Sequence, residues 1–205
     1  HDLVVQARVD GTHPGDLLRI VHEERIGFEY WDKALCAIQV DAFPWFRALM
    51  EAGGERWERG REERIEREHP GAIDAVYQEV ARAGPLSSRE LKAKDIAQGE
   101  DRSWKSTRAA NGALESLWNR GRISVSHRVN YRRYFDLTER VIPEGLLEDP
   151  PPSHDEFIRF LLKRRARMLG LLPAPGDADT WAFLRVARRS GLPDRLSLIH
   201  ISEPT

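Results

Sequence analysis

Apolar residues recur every three or four positions along much of the chain, which is the spacing of amphipathic helices. One helix is predicted after Pro70 from the apolar positions Ile73, Val76, Tyr77, Val80 and Ala81. Another is predicted before Gly121 from Ala110, Ala113, Leu114, Leu117 and Trp118. Between them, Ser87 and Glu90 have the spacing of a capping box and predict a short helix. Three helices therefore follow one another in the centre of the chain.

The pattern changes to that of strands after Gly121. Residues 123–126 and 132–137 each predict a strand, and Asn130 with its neighbours predicts the turn between them. Three helices followed by a hairpin are the element order of a winged-helix domain.

The N-terminal third is predicted to be helical. Residues 15–25 predict one helix, which leads into a loop that holds the aromatic run 28–32. A second helix is predicted from Pro44, with Asp41 as its cap. Residues 55–68 are almost entirely Arg and Glu, with opposite charges three or four positions apart, and predict a solvent-exposed helix.

Composition indicates a globular protein, and the charged residues are unevenly distributed along the chain. Of 205 residues, 40% are hydrophobic and 32% charged, no apolar run is long enough to cross a membrane, and the single Cys36 excludes an internal disulfide. The 32 Lys and Arg nearly balance the 33 Asp and Glu. Between Arg102 and Arg140, however, nine residues are basic and three are acidic, a net charge of +6 against −7 in the rest of the chain. The charge is therefore concentrated on the third helix and the hairpin.

A basic helix beside a basic hairpin is typical of proteins that contact nucleic-acid phosphates, because Lys and Arg displace condensed counterions. The alternative is a solvated basic face that contacts other proteins. The candidate DNA-binding residues are Lys105, Arg108, Arg122, Arg128, Arg132 and Arg133.

Two further sets of residues are candidates for chemistry. Gln39 and Asp41 could place an amide and a carboxylate together beside a nucleoside, although Asp41 also suits a helix cap. Tyr30, Trp31 and Asp32 could form a pocket that stacks a base and holds water, although such aromatic residues also build cores. The His and Cys residues lack metal-ligand spacing and there is no glycine-rich phosphate loop, so we expect no metal and no cofactor.

Prolines divide the chain into four units and a tail. We predict the remainder of an N-terminal winged-helix unit with charged connecting helices at 1–68 and a central winged-helix DNA-binding domain at 69–143. A Pro-rich linker follows at 144–153, and the start of a C-terminal winged-helix unit at 154–195, in which Ser153 and Glu156 predict the capping box of one helix and Asp179 the cap of a second. The fold class is thus mainly α with small β-hairpins (α+β), in tandem winged-helix units. Residues 196–205 are interpreted as translated sequencing adapter, and with His1 at the start we expect a fragment truncated at both ends.

Five short segments carry a resemblance to a known family. They are Phe28–Ala34 (FEYWDKA), Phe43–Arg47 (FPWFR), Gly84–Ser87 (GPLS), Ala113–Leu117 (ALESL) and Tyr134–Pro143 (YFDLTERVIP). In this order they are similar to the YcaQ-like DNA glycosylases, and the last segment is the most specific. The resemblance covers about residues 1–190.

The resemblance implies tandem winged helices around a DNA channel, without a metal or other cofactor. It also implies hydrolysis of the N-glycosidic bond of alkylated purines, including interstrand crosslinks. The family's Gln-apolar-Asp or Gln-apolar-Gln catalytic triplet would lie upstream of His1, so Gln39 and Asp41 only imitate it. Where the family has a Lys before Ala-Leu-Glu, this chain has Asn111-Gly112, and Lys105 or Arg108 could replace that phosphate contact.

Whether this chain is itself an enzyme stays open. We expect its partner to be double-stranded, alkylated DNA, and the protein to be a monomer at the bacterial nucleoid in the cytoplasm, without a membrane partner. One alternative is a non-enzymatic winged-helix DNA-binding protein such as a transcriptional regulator, because a fold does not determine function. A protein-interaction scaffold is a third possibility.

Overall fold

A computed structural model describes residues 2–32, 34–51, 56–91, 107–148, 150–170, 172, 180–181 and 184. The helices are α1 (Asp2–Gln6), α2 (Asp16–Leu18), α3 (Phe43–Glu51), α4 (Arg56–Glu68), α5 (Ala72–Ala83), α6 (Thr107–Asn119), α7 (Thr138–Val141) and α8 (His154–Leu169). The strands are β1 (Gly27–Trp31), β2 (Leu35–Gln39), β3 (Ile123–Val129) and β4 (Arg132–Leu137). A π-helical turn (Arg19–Glu23) follows α2, and 3₁₀ turns cover Val40–Ala42 and Glu144–Leu146. The predicted class, mainly α with small antiparallel hairpins, is confirmed.

The central segment follows the predicted element order. After α5, Leu86 exchanges two backbone hydrogen bonds of 2.9 Å with Phe135 on β4, so it pairs with the edge of the β3–β4 hairpin. Residues 88–91 are helical, and Glu90 accepts hydrogen bonds from the Ser87 backbone and hydroxyl, as in the predicted capping box. The hairpin then follows α6 and is longer than predicted, because β3 continues to Val129.

The N-terminal hairpin β1–β2 was not predicted, since the aromatic run was expected in a loop. Its strands pair antiparallel from Gly27 opposite Gln39 to Trp31 opposite Leu35. The side chains of Phe28 and Tyr30 point into the core, where Phe28 packs edge-on against Phe43 at 5.1 Å between ring centroids. Phe28 and Tyr30 thus share one face of β1, and Glu29 between them is buried on the opposite face, so both faces of the strand are covered.

The segment before α3 also differs in detail from the prediction. Asp41 lies within the 3₁₀ turn, and α3 begins at Phe43, one residue before Pro44. Proline is well tolerated in the first turn of a helix, because its missing N–H has no partner there in any case.

The last described helix packs on the first part of the chain. Ser153 and Glu156 form the predicted capping box at the start of α8. Phe160 of α8 stacks on Trp45 of α3 at 4.6 Å, and Phe157 meets Phe46 edge-on at 5.8 Å. The described buried apolar residues, from Phe28 to Leu184, form one continuous cluster.

Several predictions lie outside the described residues. These are the 196–205 segment and most of the second helix expected after Asp179. No helix in the described part of the chain has both the length and the hydrophobicity to span a bilayer.

Candidate nucleic-acid interface

The β3–β4 hairpin presents a sharp, exposed tip. Val129 pairs with Arg132 across a two-residue turn in which Asn130 (φ 47°) and Tyr131 (φ 65°) both have left-handed backbones. Two positive φ values are those of a type I′ turn, whose twist matches that of the flanking strands. The exposed fraction of Tyr131 is 90%, and Arg132 is exposed beside it.

A buried ion cluster holds this hairpin close to its tip. Arg128 on β3 donates hydrogen bonds to both carboxylate oxygens of Glu29 on β1, with Nε 2.6 Å from Oε1. His22 from the π-helical turn places Nε2 3.1 Å from the same oxygen. Arg128 also donates to the carbonyl of Tyr131 at 2.7 Å. One guanidinium therefore joins the N-terminal hairpin to the turn at the exposed tip.

Charge pairing sets the ionisation of this cluster. Burial alone would raise the pKa of Glu29, but hydrogen bonding from Arg128 and the neighbouring His22 outweighs burial and lowers it to about 2. The hydrogen bonds to Glu29 also raise the pKa of Arg128. The Glu29–Arg128 pair is therefore ionised at neutral pH.

A second contact from the N-terminal part supports the same strand. Arg25, at φ 57°, donates a 3.0 Å hydrogen bond to the carbonyl of Ser126 on β3. Burial lowers the pKa of this arginine, but the ordinary pKa of a guanidinium is so high that the side chain remains a cation. The hairpin is thus supported along β3 as well as close to its tip.

The other predicted basic residues have different surroundings. Arg133 pairs with Glu115 on α6 and lies 4.9 Å above the Trp118 ring. Arg122 stacks over Tyr77 at 3.8 Å, and its exposed guanidinium is 3.6 Å from Asp74.

Two of the predicted contacts lie at the start of the third helix. Arg108 falls in the first turn of α6, and Lys105 lies outside the described residues. The structure therefore brings Arg122, Arg128, Arg132 and Arg133 to one hairpin and its root, and their role as DNA contacts stays a prediction.

Two cavities border these residues. One of about 260 Å³ is lined by Arg47, Arg120 and Arg122, together with Tyr77 and Glu51. The other, about 70 Å³, lies between the N-terminal hairpin and the tip of the β3–β4 hairpin, beside His22, Glu29 and Cys36. Three arginines and two glutamates line the larger cavity, and Arg47 is paired with Glu51, so its lining is of mixed charge.

The predicted pocket residues form hydrogen bonds to other groups of the protein. The hydroxyl of Tyr30 donates to the Asn119 carbonyl at 2.7 Å, and Trp31 Nε1 donates to the Asn119 side-chain oxygen at 3.1 Å. Asp32 is 2% exposed and accepts hydrogen bonds from Arg165 at 2.5 Å and Arg164 at 3.1 Å, both on α8. These contacts join β1 to α6 and α8, and a role in holding a base stays a prediction.

The candidate catalytic pair is at the surface. Gln39 ends β2 and Asp41 follows it in the 3₁₀ turn, and both side chains are exposed. Within the described ranges, no group of three or more His, Cys, Asp or Glu residues could hold a metal ion.

Sequence reasoning missed Glu29, Arg25 and Tyr131. Glu29 carried a signal, because a carboxylate inside a strand of aromatic residues must find a cationic or hydrogen-bonding partner when buried. Tyr131 carried another signal, because it is a bulky residue at the second position of a two-residue hairpin turn, where glycine is common.

Comparison with known proteins adds the family. The family model described as DNA glycosylase AlkZ-like matches residues 1–199, and no solved structure matches the chain. The match agrees with the resemblance carried by the five short segments. Since it extends over nearly the whole sequence, the chain belongs to the AlkZ-like DNA glycosylase family.

Proposed function

We propose that this chain holds alkylated duplex DNA against the β3–β4 hairpin in a DNA-repair glycosylase. The reaction is hydrolysis of the N-glycosidic bond of an alkylated purine, in which water adds to C1′ of the sugar and the base leaves. Interstrand crosslinks between such purines are included in the proposed substrate class. The observation that carries the proposal is the firmly supported basic hairpin in a chain of a DNA glycosylase family.

We propose that residues 69–143 form a winged-helix unit with this hairpin as its wing. Support comes from the order of α5, the bridge at Leu86, the helical residues 88–91, α6 and the hairpin. In helix-turn-helix proteins the second helix of the motif enters the major groove. By analogy, the start of α6 would face the bases, where Arg108 and the preceding Lys105 are the predicted contacts, and the hairpin would face the neighbouring backbone.

The basic residues divide into two groups by their partners. Arg132 is exposed, and among the described residues no carboxylate forms an ion pair with it. Among the described residues, Arg122 has the highly exposed Asp74 as its ionic partner, and a surface pair of this kind is weak. We assign these two arginines to phosphate contacts. Arg128 and Arg133 are bound to Glu29 and Glu115, so we assign them to holding the hairpin in place.

Salt dependence of DNA binding tests the assignment. Each phosphate contact contributes about −0.9 to the slope of log K against log salt concentration. We expect Arg132→Ala and Arg122→Ala each to weaken duplex binding and to make the slope shallower by about one contact. Arg159→Ala, on the exposed face of α8, is the matched control and should leave both unchanged. Unchanged slopes in both hairpin variants would refute the assignment.

Base release tests the chemistry separately. The chain is incubated with duplex DNA containing N7-methylguanine, and free base is measured. If base is released, Gln39→Ala and Asp41→Asn determine whether the exposed pair acts as the catalytic residues. Binding that follows one DNA sequence, regardless of alkylation, would instead support a transcriptional regulator.

A further inference from the structure

Tyr131 has a combination of properties that the packing of the hairpin does not require. It occupies the second position of the two-residue turn at φ 65°, a backbone region that bulky side chains rarely adopt. Its exposed fraction is 90%, so the ring gains little from contacts within the protein. Glycine would fit this turn without strain. Strained residues of this kind occur mainly at functional sites.

The backbone that carries the Tyr131 ring is held in place, although the ring itself is exposed. Arg128 donates to the Tyr131 carbonyl at 2.7 Å and is itself held by both oxygens of Glu29. The Glu29 carboxylate is only 8% exposed, which places the anchor of this chain of contacts inside the protein. The turn is therefore preorganised, and binding a partner requires little further ordering of the backbone.

The neighbours of Tyr131 indicate the chemistry of the partner. Arg132 adds an exposed cation directly beside the ring, and Val129 adds an apolar side chain that is 45% exposed. An aromatic face next to a guanidinium matches a nucleic acid, in which bases offer flat apolar faces and phosphates offer charge. The DNA glycosylase family match and the net charge of +6 between Arg102 and Arg140 favour a nucleic acid over a lipid or a protein.

We infer that Tyr131 is a DNA-binding residue that stacks on a base at a disturbed step of the duplex, while Arg132 contacts the adjacent phosphate. Apolar and aromatic side chains that enter a groove partly unstack a base step. The inference rests on the proposed DNA-binding function and adds to it the side chain that meets the bases.

Three forms of the chain test this inference. Tyr131→Gly removes the ring and suits the φ of 65°, so it should be as stable as the wild type or more stable. Tyr131→Phe keeps the aromatic face and loses only the hydroxyl. The probe is a duplex that carries N7-methylguanine beside 2-aminopurine, whose fluorescence rises when it is unstacked.

We expect Tyr131→Phe to bind within about twofold of the wild type and Tyr131→Gly to bind about fivefold or more weakly, the low end of measured base–aromatic stacking. Because tyrosine is neutral, the salt slope should stay unchanged in both variants, unlike in Arg132→Ala. The 2-aminopurine fluorescence should rise with wild type and Tyr131→Phe, and not with Tyr131→Gly.

The two proposals fail in different ways. If the wild type does not bind duplex DNA, the proposed function is wrong. If the wild type binds but Tyr131→Gly binds equally well and gives the same fluorescence, the stacking role is overturned while DNA binding stands. Thermal unfolding of each variant is measured alongside, so that a loss of binding through misfolding is recognised.

Discussion

Replacing Asp32 with asparagine tests the ion pair that joins the first hairpin to the last described helix. The Asp32 side chain is 1% exposed and that of its partner Arg165 is 0% exposed. Asp32→Asn keeps the size of the side chain and removes its charge, which leaves the Arg165 guanidinium buried without its carboxylate. The second partner, Arg164, is 23% exposed and can turn toward water.

The expected loss follows from burial. Removing one partner of a buried ion pair costs about 3–5 kcal/mol, because the remaining charge stays desolvated. In urea this lowers the unfolding midpoint by about 1–2 M for a chain of this size. Asp10→Asn is the matched control, since Asp10 is exposed, and surface substitutions change stability by about 0.5 kcal/mol or less.

The double variant Asp32→Asn, Arg165→Met separates the buried charge from the loss of a contact. Methionine fills the space of the arginine stem without a charge, so the double variant should recover part of the stability that Asp32→Asn loses. The measurement is urea unfolding of the single variants and the double variant at pH 7. If the free energy of unfolding of Asp32→Asn lies within about 1 kcal/mol of the wild-type value, the reasoning is refuted, because a buried charge that loses its partner should cost several times more.

Two further predictions concern the ion cluster near the hairpin tip and the turn that precedes the hairpin. The pKa of Glu29 falls from 4.5 to about 2 on folding, so its ionisation adds about 3 kcal/mol at pH 7 that is lost as pH falls from 4.5 toward 2. The stability difference between wild type and Glu29→Gln, measured by unfolding at pH 7 and pH 3, should shrink at the lower pH, and a constant difference would contradict this assignment. Gly121→Ala should lower stability by about 1–3 kcal/mol, because φ is 67° and the added Cβ would lie 2.6 Å from Met50 Sδ. Gly145→Ala, where the Cβ meets open space, should leave the melting temperature unchanged, and equal effects at both glycines would argue against the steric explanation.

The central elements could be predicted because their signals are local. The helical spacing of Val76 and Val80, or of Ala113 and Leu117, reports which face of α5 or α6 is buried. The capping box at Ser153 likewise needs only four neighbouring residues. Such features depend on neighbours in sequence, so a single chain is sufficient to find them.

The first hairpin was missed because consecutive residues of β1 are buried on both of its faces, and one of them is an acid. Phe28 and Tyr30 face inward, whereas Glu29 lies between them and faces β3. A run of aromatic residues with two acids has neither the regular alternation of a half-buried strand nor the spacing of a helix. Only the tertiary partners of the acids make the extended backbone favourable.

The same dependence explains why the basic residues could not be assigned individually. The net charge of the 102–140 segment predicts a cationic surface, but it does not reveal which arginines are bound by carboxylates inside the protein. Glu29 binds Arg128 across 99 positions and Asp32 binds Arg165 across 133. A buried carboxylate in an apolar strand does imply that a cation must be near, since an unpaired buried charge is costly. It cannot identify that cation, because several arginines satisfy the requirement equally well until the fold brings one of them close. The arginines left at the surface, above all Arg132, are therefore the ones on which a DNA contact should be tested first.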